Sequence, residues 1–139
     1  RHLNNAARLA GLFPSQKFVL DHCAKPPIRK AEILEWAQGI KKLASFPNVS
    51  CKVSGLVTEA DWVSWQPEDF YPYLDIIWNA FGADRIMLGT DWPVCLVAAT
   101  YEQVVGVAEG YFVISFSQRL TEPFFYGRNH SISTHIFQF

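Results

Sequence analysis

A chain of 139 residues with a formal net charge of −1, its acids and bases interspersed, is long enough for one domain with a real core and too short for two. Half of its residues are hydrophobic and 15% are aromatic, which excludes a disordered chain, and the lack of a basic stripe or charge block argues against nucleic acid as a partner. No run reaches the roughly 18 apolar residues that a membrane helix needs, so no membrane association is expected.

The N-terminus, Arg1-His2-Leu3-Asn4-Asn5, is neither a signal peptide nor an initiating methionine and reads as the middle of something longer. Leu3, Ala6, Ala7 and Ala10 then fall at helical spacing, with Gly11 where a helix would stop. Lys17-Phe18-Val19-Leu20-Asp21-His22 is a short β-prone run that ends in two titratable residues, and Pro26-Pro27 prevents its continuation. From Lys30 to Phe46, the residues Ile33, Ala37, Ile40, Leu43 and Ala44 make the apolar face of an amphipathic helix. Val49 to Gly55 is the second strand, with Lys52 inside it and Ser54-Gly55 at its end. Thr58 to Gln66 is a polar, tryptophan-bearing loop whose Trp62 and Trp65 are expected to cover the mouth of the sheet.

Pro67, Glu68 and Asp69 look like a helix start, with proline early and acids near the positive end of the dipole. Phe70, Leu74, Ile77, Trp78 and Phe81 supply that helix's face, and Gly82 ends it. Pro72 fits only if the helix proper begins near Asp69. Arg85 to Asp91 is the third strand, closed by Trp92-Pro93. Thr100 and Gln103 have the spacing of a capping box before a helix carrying Val104, Val107, Ala108 and Tyr111.

Helix and strand alternate throughout, which predicts parallel strands joined by crossover helices, adjacent in chain order. His22 and Lys52 are 30 residues apart, Lys52 and Asp91 39, against about 31 per unit for a (β/α)8 barrel of roughly 250 residues. The length holds about half of such a barrel. The rival, a doubly wound open sheet, normally carries a glycine-rich phosphate loop after its first strand, and none is present.

Purely structural parallel strands are near-continuous hydrophobic runs. Here each of three strands ends in different polar groups: Asp21 and His22, then Lys52 and Ser54, then Thr90 and Asp91. At the carboxyl ends of parallel strands these would face one pocket, with His22 and Asp91 about 10 Å apart because a strand lies between theirs. Histidine can serve as acid, base or metal ligand, aspartate can activate water, and lysine can hold a carboxylate or stabilise an oxyanion. The set suits hydrolysis of a carbonyl compound. Hydride and phosphoryl transfer are disfavoured, with no GxGxxG or GxxxxGK[ST], and neither HExxH nor GxSxG is found. Asp21 reads as orienting His22 or capping a turn. The three cysteines, Cys23, Cys51 and Cys95, show no CxxC spacing and read as reduced, packed thiols of a cytoplasmic protein.

Phe18-Val19-Leu20-Asp21-His22-Cys23-Ala24-Lys25-Pro26, Asn48 through Leu56, and Phe81-Gly82-Ala83-Asp84-Arg85-Ile86-Met87-Leu88-Gly89-Thr90-Asp91-Trp92-Pro93-Val94 resemble three consecutive signatures of the amidohydrolase-related family. Its lactonase branch includes fuconolactonase-like, rhamnonolactonase-like and pyrone-dicarboxylate lactonase-like proteins. The resemblance runs from the start of the chain to about Gly127. It implies an α/β fold, a partial (β/α)8 TIM barrel comprising about the last three strands with their helices.

By position the resemblance makes Asp91 the base that activates water, or a metal ligand where metal is used, with His22 in the same site. Lys52, Lys25 and Trp92 become substrate-binding candidates, and the substrate a small lactone or sugar-acid derivative. No cofactor is certain. If a divalent metal such as zinc is used, His22 and Asp91 are its candidate ligands here. The family's first-strand HxH pair has no counterpart in this chain. Residues 1–127 form the C-terminal half of a barrel domain on this reading. Phe124-Phe125-Tyr126-Gly127 follows the family's closing pattern and the tail 128–139 departs from it, with His130 and His135 incidental. A half-barrel exposes sheet edges and apolar interior, so the alternative to a lactone hydrolase is a catalytically incomplete piece that self-associates, as a homo-oligomer, or packs with a partner.

Overall fold

The computed structural model describes residues 2–121, with side chains through residue 113. The tail 128–139 and the stretch Phe124 to Gly127 lie outside the described residues. Among those described, the elements are α1 (Leu3–Leu12), β1 (Phe18–Leu20), α2 (Leu34–Ala44), β2 (Val49–Val53), α3 (Tyr71–Phe81), β3 (Ile86–Leu88) and α4 (Tyr101–Thr121), with short 3-10 turns between them. The strands form one parallel sheet in the order β1-β2-β3, as the alternation predicts. Phe18 to Leu20 pair with Val49 to Cys51, and Cys51 to Val53 with Ile86 to Leu88.

Successive side chains of β2 point to opposite faces. Val49, Cys51 and Val53 are buried, while Ser50 and Lys52 are only half-buried. The buried face meets α2 and α3, where Ile40, Leu43, Leu74, Ile77 and Phe81 complete a core that also takes in Phe70. Ala7 and Ala10 of α1 and Val107 and Tyr111 of α4 extend it to either side. Among the described residues β1 and β3 each pair on one edge only, and Val19, Met87 and Leu88 are exposed there. No described helix is long and apolar enough to cross a membrane.

Several boundaries differ from the expected ones for local reasons. Helix α1 runs past Gly11 to Leu12 and is closed by the Phe13 N–H donating to the Leu9 carbonyl at 3.2 Å. Helix α2 starts at Leu34 rather than Lys30, because Ile28–Lys30 forms a separate 3-10 turn ended by Ala31 at φ 54. The helix expected from Pro67 is split. Pro67–Asp69 is its own turn, with the Gln66 N–H donating to Asp69 Oδ2 at 2.8 Å. Pro72 then falls in the first turn of α3, where a missing N–H costs no helical bond. The capping box forms as expected: the Thr100 N–H donates to Gln103 Oε1 (2.8 Å) and the Gln103 N–H to Thr100 Oγ1 (3.2 Å).

Two polar side chains tie the elements together. Arg85 donates from Nη1 to the carbonyls of Ala44, Phe46 and Val49 at 2.9, 3.0 and 3.1 Å, and its guanidinium lies over the Phe81 ring. It thus satisfies carbonyls that the end of α2 would otherwise leave open. Asn48 Nδ2 donates toward the carbonyls of Ala10, Phe13 and Gln16, fixing the α1–β1 connection against the start of β2.

Candidate functional site

Every strand is shorter than the sequence suggests, and most of the chemistry lies in the turns beyond the strand ends. β1 ends at Leu20, and the next residues form a turn in which His22, Cys23, Ala24 and Lys25 all have positive φ, between 47° and 57°. β3 ends at Leu88, and Asp91 takes φ 62. A left-handed conformation costs a non-glycine residue roughly 1–2 kcal/mol, so a run of four persists only when its surroundings hold it. Three hydrogen bonds do so: Cys23 Sγ to the Lys52 carbonyl (3.3 Å), Trp36 Nε1 to the Cys23 carbonyl (2.8 Å), and the Lys25 N–H to the His22 carbonyl (2.8 Å).

These turns bring His22 and Asp91 together, with Nε2 3.6 Å from Oδ1. The separation of about 10 Å expected from strand spacing is therefore wrong. It assumed side chains standing on extended backbone, whereas both residues sit in left-handed turns that lean over β2. Gly55, at φ +64, lies beneath the contact, and a Cβ there would stand 3.0 Å from His22 Nδ1 and 3.1 Å from Asp91 Oδ2. His22 Nδ1 is 2.9 Å from the hydroxyl of the buried Ser54. Its Nε2 is 3.2 Å from Asp21 Oδ2, and the other Asp21 oxygen is 3.1 Å from Lys52 Nζ. Lys52 lies along Gly89, whose missing side chain gives it room. Side-chain exposure is 22% for His22 and 13% for Asp91, so the pair is shielded but reachable.

Partial burial works against ionisation of Asp21, but the Lys52 hydrogen bond and the charges of His22 and Lys52 outweigh it and hold its carboxyl below the ordinary value. The hydrogen bond from Lys25 to Glu59, at 2.9 Å, pushes the Lys25 ammonium up against a smaller opposing effect of burial. Lys25 is thus tied to the loop after β2. Trp92 is exposed, at 63%. Trp62 donates to the Thr58 carbonyl and Trp65 to that of Ala98, which pins the loop. Burial and the nearby Asp91 charge push the Cys95 thiol up. Cys51 is pushed up further by its hydrogen bond with Cys23 and by burial.

Asp21 and Ser54 were undervalued by sequence reasoning. The signal for Ser54 was its place two residues after Lys52, on the same face of the strand. Asp21 gave no such signal, because its reach to Lys52 depends on the turn.

Titratable groups gathered at the carboxyl ends of parallel strands, in a sheet built of βα units, are the layout of α/β proteins, barrels among them, in which that face is the ligand-binding one. The chain belongs to the amidohydrolase family, whose profile matches residues 2–119. It is 41% identical over 100 residues to an L-fucono-1,5-lactonase of Burkholderia multivorans, covering 66% of this chain and 34% of that protein. An L-fucono-1,5-lactonase of Burkholderia ambifaria is 39% identical over 103 residues, covering 73% and 34%. The crystal structure of an amidohydrolase from Burkholderia multivorans with bound zinc superposes with a TM-score of 0.78 at 37% identity, covering 82% of this chain and 42% of that one. Amidohydrolase 2 of Bifidobacterium longum subsp. infantis, at 21% identity and a TM-score of 0.62, shares the fold. The chain spans about a third of the length of the curated relatives it matches. Its α/β architecture is accordingly part of a (β/α)8 barrel.

One of these neighbours holds zinc. Among the described residues of this chain, no group of three or more His, Cys, Asp or Glu is arranged to hold a metal. His22 Nε2 and Asp91 Oδ1 are two donors where a catalytic zinc takes three protein ligands, and Asp21 is committed to Lys52. The residues in hand do not fit a metal site on their own.

Proposed function

We propose that this chain supplies one wall of a lactone-hydrolysing site, with Asp91 as the base and His22 and Lys52 as the electrostatic partners of the reacting carbonyl. The supporting observation is the meeting of His22 and Asp91 over Gly55, with Lys52 alongside, at the carboxyl end of the sheet. Asp91 accepts a proton from water as the water oxygen adds to the lactone carbonyl. The oxyanion that develops faces the donors of Lys52 and His22. Collapse breaks the ring C–O bond, the proton on Asp91 passes to the departing ring oxygen, and the product is the open hydroxy acid. Trp92 offers an exposed ring as a wall for a sugar-like substrate, and Lys25, held by Glu59, a charge at its rim.

A second reading, an incomplete barrel that only self-associates, is favoured by the outer edges of β1 and β3, unpaired among the described residues, with Val19, Met87 and Leu88 exposed. The test is a chimera in which this chain replaces the matching third of the Burkholderia multivorans lactonase, assayed for lactone hydrolysis by pH-stat. The isolated chain should show background rates, because its site is open to water that screens every charge in it. The chimera should turn over, and Asp91→Asn should lower its rate by about two to four orders of magnitude. A folded chimera with no hydrolysis, or one indifferent to Asp91→Asn, overturns the proposal.

A further inference from the structure

We infer that Gly89 is a positioning residue: its lack of a side chain lets Lys52 lie across the carboxyl end of the sheet and present its ammonium to the site. The inference rests on the hydrolytic reading above and adds to it the residue that aims its lysine. A lysine ammonium rides on a flexible four-carbon stem, so it becomes a directed donor only when the stem is confined. Lys52 is in register with Met87, and Gly89 follows two residues later on the same face of the sheet. A Cβ on Gly89 would stand 2.9 Å from Lys52 Cε, 3.4 Å from Ser54 Cβ and 3.8 Å from Lys52 Cγ. The stem therefore leans diagonally toward the carboxyl end, and its last carbon occupies the space that any other residue at position 89 would claim.

Backbone conformation does not call for glycine here. Among the described glycines Gly55 and Gly82 have positive φ, and Gly89 does not. A glycine that continues a strand weakens it, and its usual reason is that another group must approach closely. Gly89 cannot retreat from the lysine, because its N–H donates to the Val53 carbonyl at 3.0 Å and carries the ladder one step beyond Leu88. At the other end the ammonium is fixed by Asp21, with Nζ 3.1 Å from Oδ1. A methyl group at position 89 would push the stem off the sheet and carry the ammonium out of that pairing.

The test uses this chain and compares Gly89→Ala, Lys52→Ala and the double variant. Brief labelling with acetic anhydride, read by peptide mass, gives the reactivity of Lys52 relative to the exposed Lys41. Gly89→Ala should raise that ratio severalfold as the ammonium leaves Asp21. It should also lower the urea midpoint with Lys52 present, and leave it unchanged or raise it in the Lys52→Ala background, where the space is open. An unchanged labelling ratio, or an equal fall in midpoint in both backgrounds, overturns the inference. Should Gly89→Ala fail to fold, folding of the double variant supports the inference and its failure to fold overturns it. In the lactonase chimera Gly89→Ala should lower kcat by roughly ten- to a hundredfold with KM little changed, and should add nothing to the loss from Lys52→Ala. Losses that multiply overturn the inference, because they mark a structural role independent of the lysine. A chimera that shows no hydrolysis at all sinks the hydrolytic reading, while the labelling and the urea midpoints still decide whether Gly89 makes room for Lys52.

Discussion

Replacing Gly55 by alanine attacks the candidate site from below without substituting any group that could react. At φ +64 the backbone itself resists a side chain, at a cost of about 1–2 kcal/mol. The new methyl would also stand 3.0 Å from His22 Nδ1, 3.1 Å from Asp91 Oδ2 and 3.3 Å from His22 Cβ. It must push the imidazole and carboxylate away by a few tenths of an ångström, and the bond of 2.9 Å from His22 to Ser54 is the first to lengthen. Gly82→Ala provides the control. Gly82 also has positive φ, at +68, but a Cβ there meets nothing within 4 Å. Both variants should lose stability in urea titrations, each by about 1–3 kcal/mol. Gly55→Ala alone should move the His22 ring resonances, and in the lactonase chimera it should lower turnover by roughly a hundredfold, the scale expected of a misplaced catalytic group. Unmoved His22 resonances in Gly55→Ala, or equal movement in Gly82→Ala, would refute the packing of His22 and Asp91 over this glycine.

Arg85→Ala strips partners from the carbonyls of Ala44, Phe46 and Val49 and should cost roughly 2–3 kcal/mol in urea unfolding, whereas Arg85→Lys, unable to reach all three, should recover only part. The three cysteines are buried and free, and the thiols of Cys51 and Cys95 are held protonated, so Ellman's reagent should find almost none in the folded chain and three in denaturant. Because the Asp21 carboxyl is held below its ordinary value, its link to Lys52 stabilises the fold fully above the unfolded carboxylate range and loses that contribution as pH falls through the lower, folded value. Carbon-13 titration of Asp21 should show this depressed midpoint, and Lys52→Met should move it upward.

The order and parallel pairing of the strands were legible because apolar runs and helical faces alternate at barrel spacing, and Asp91, His22 and Lys52 were legible as polar residues closing such runs. The turns were not. A sequence shows a glycine that permits positive φ, but His22, Cys23, Ala24, Lys25 and Asp91 adopt it under tertiary constraint, from Trp36 and from the Lys52 carbonyl. Missing those turns lengthened every strand and put His22 and Asp91 too far apart. Lys25–Glu59 and Asp21–Lys52 span 34 and 31 residues, beyond any local pattern. Pro72 misled in the opposite direction: it suggested an early helix start, where the structure gives a separate turn and then a helix beginning one residue before the proline.

The alternation along β2 also guards the sheet against mispairing. Val49, Cys51 and Val53 face the helices while Lys52 lies on the opposite face, so sliding the strand by one residue would drive an ammonium into the helix layer and turn three apolar side chains outward. An uncompensated charge in that layer is far more costly than any gain from an alternative pairing. The lysine proposed for the site thereby also acts as a register pin, and a neutral apolar residue in its place would narrow the gap between the native pairing of β2 and a slipped one.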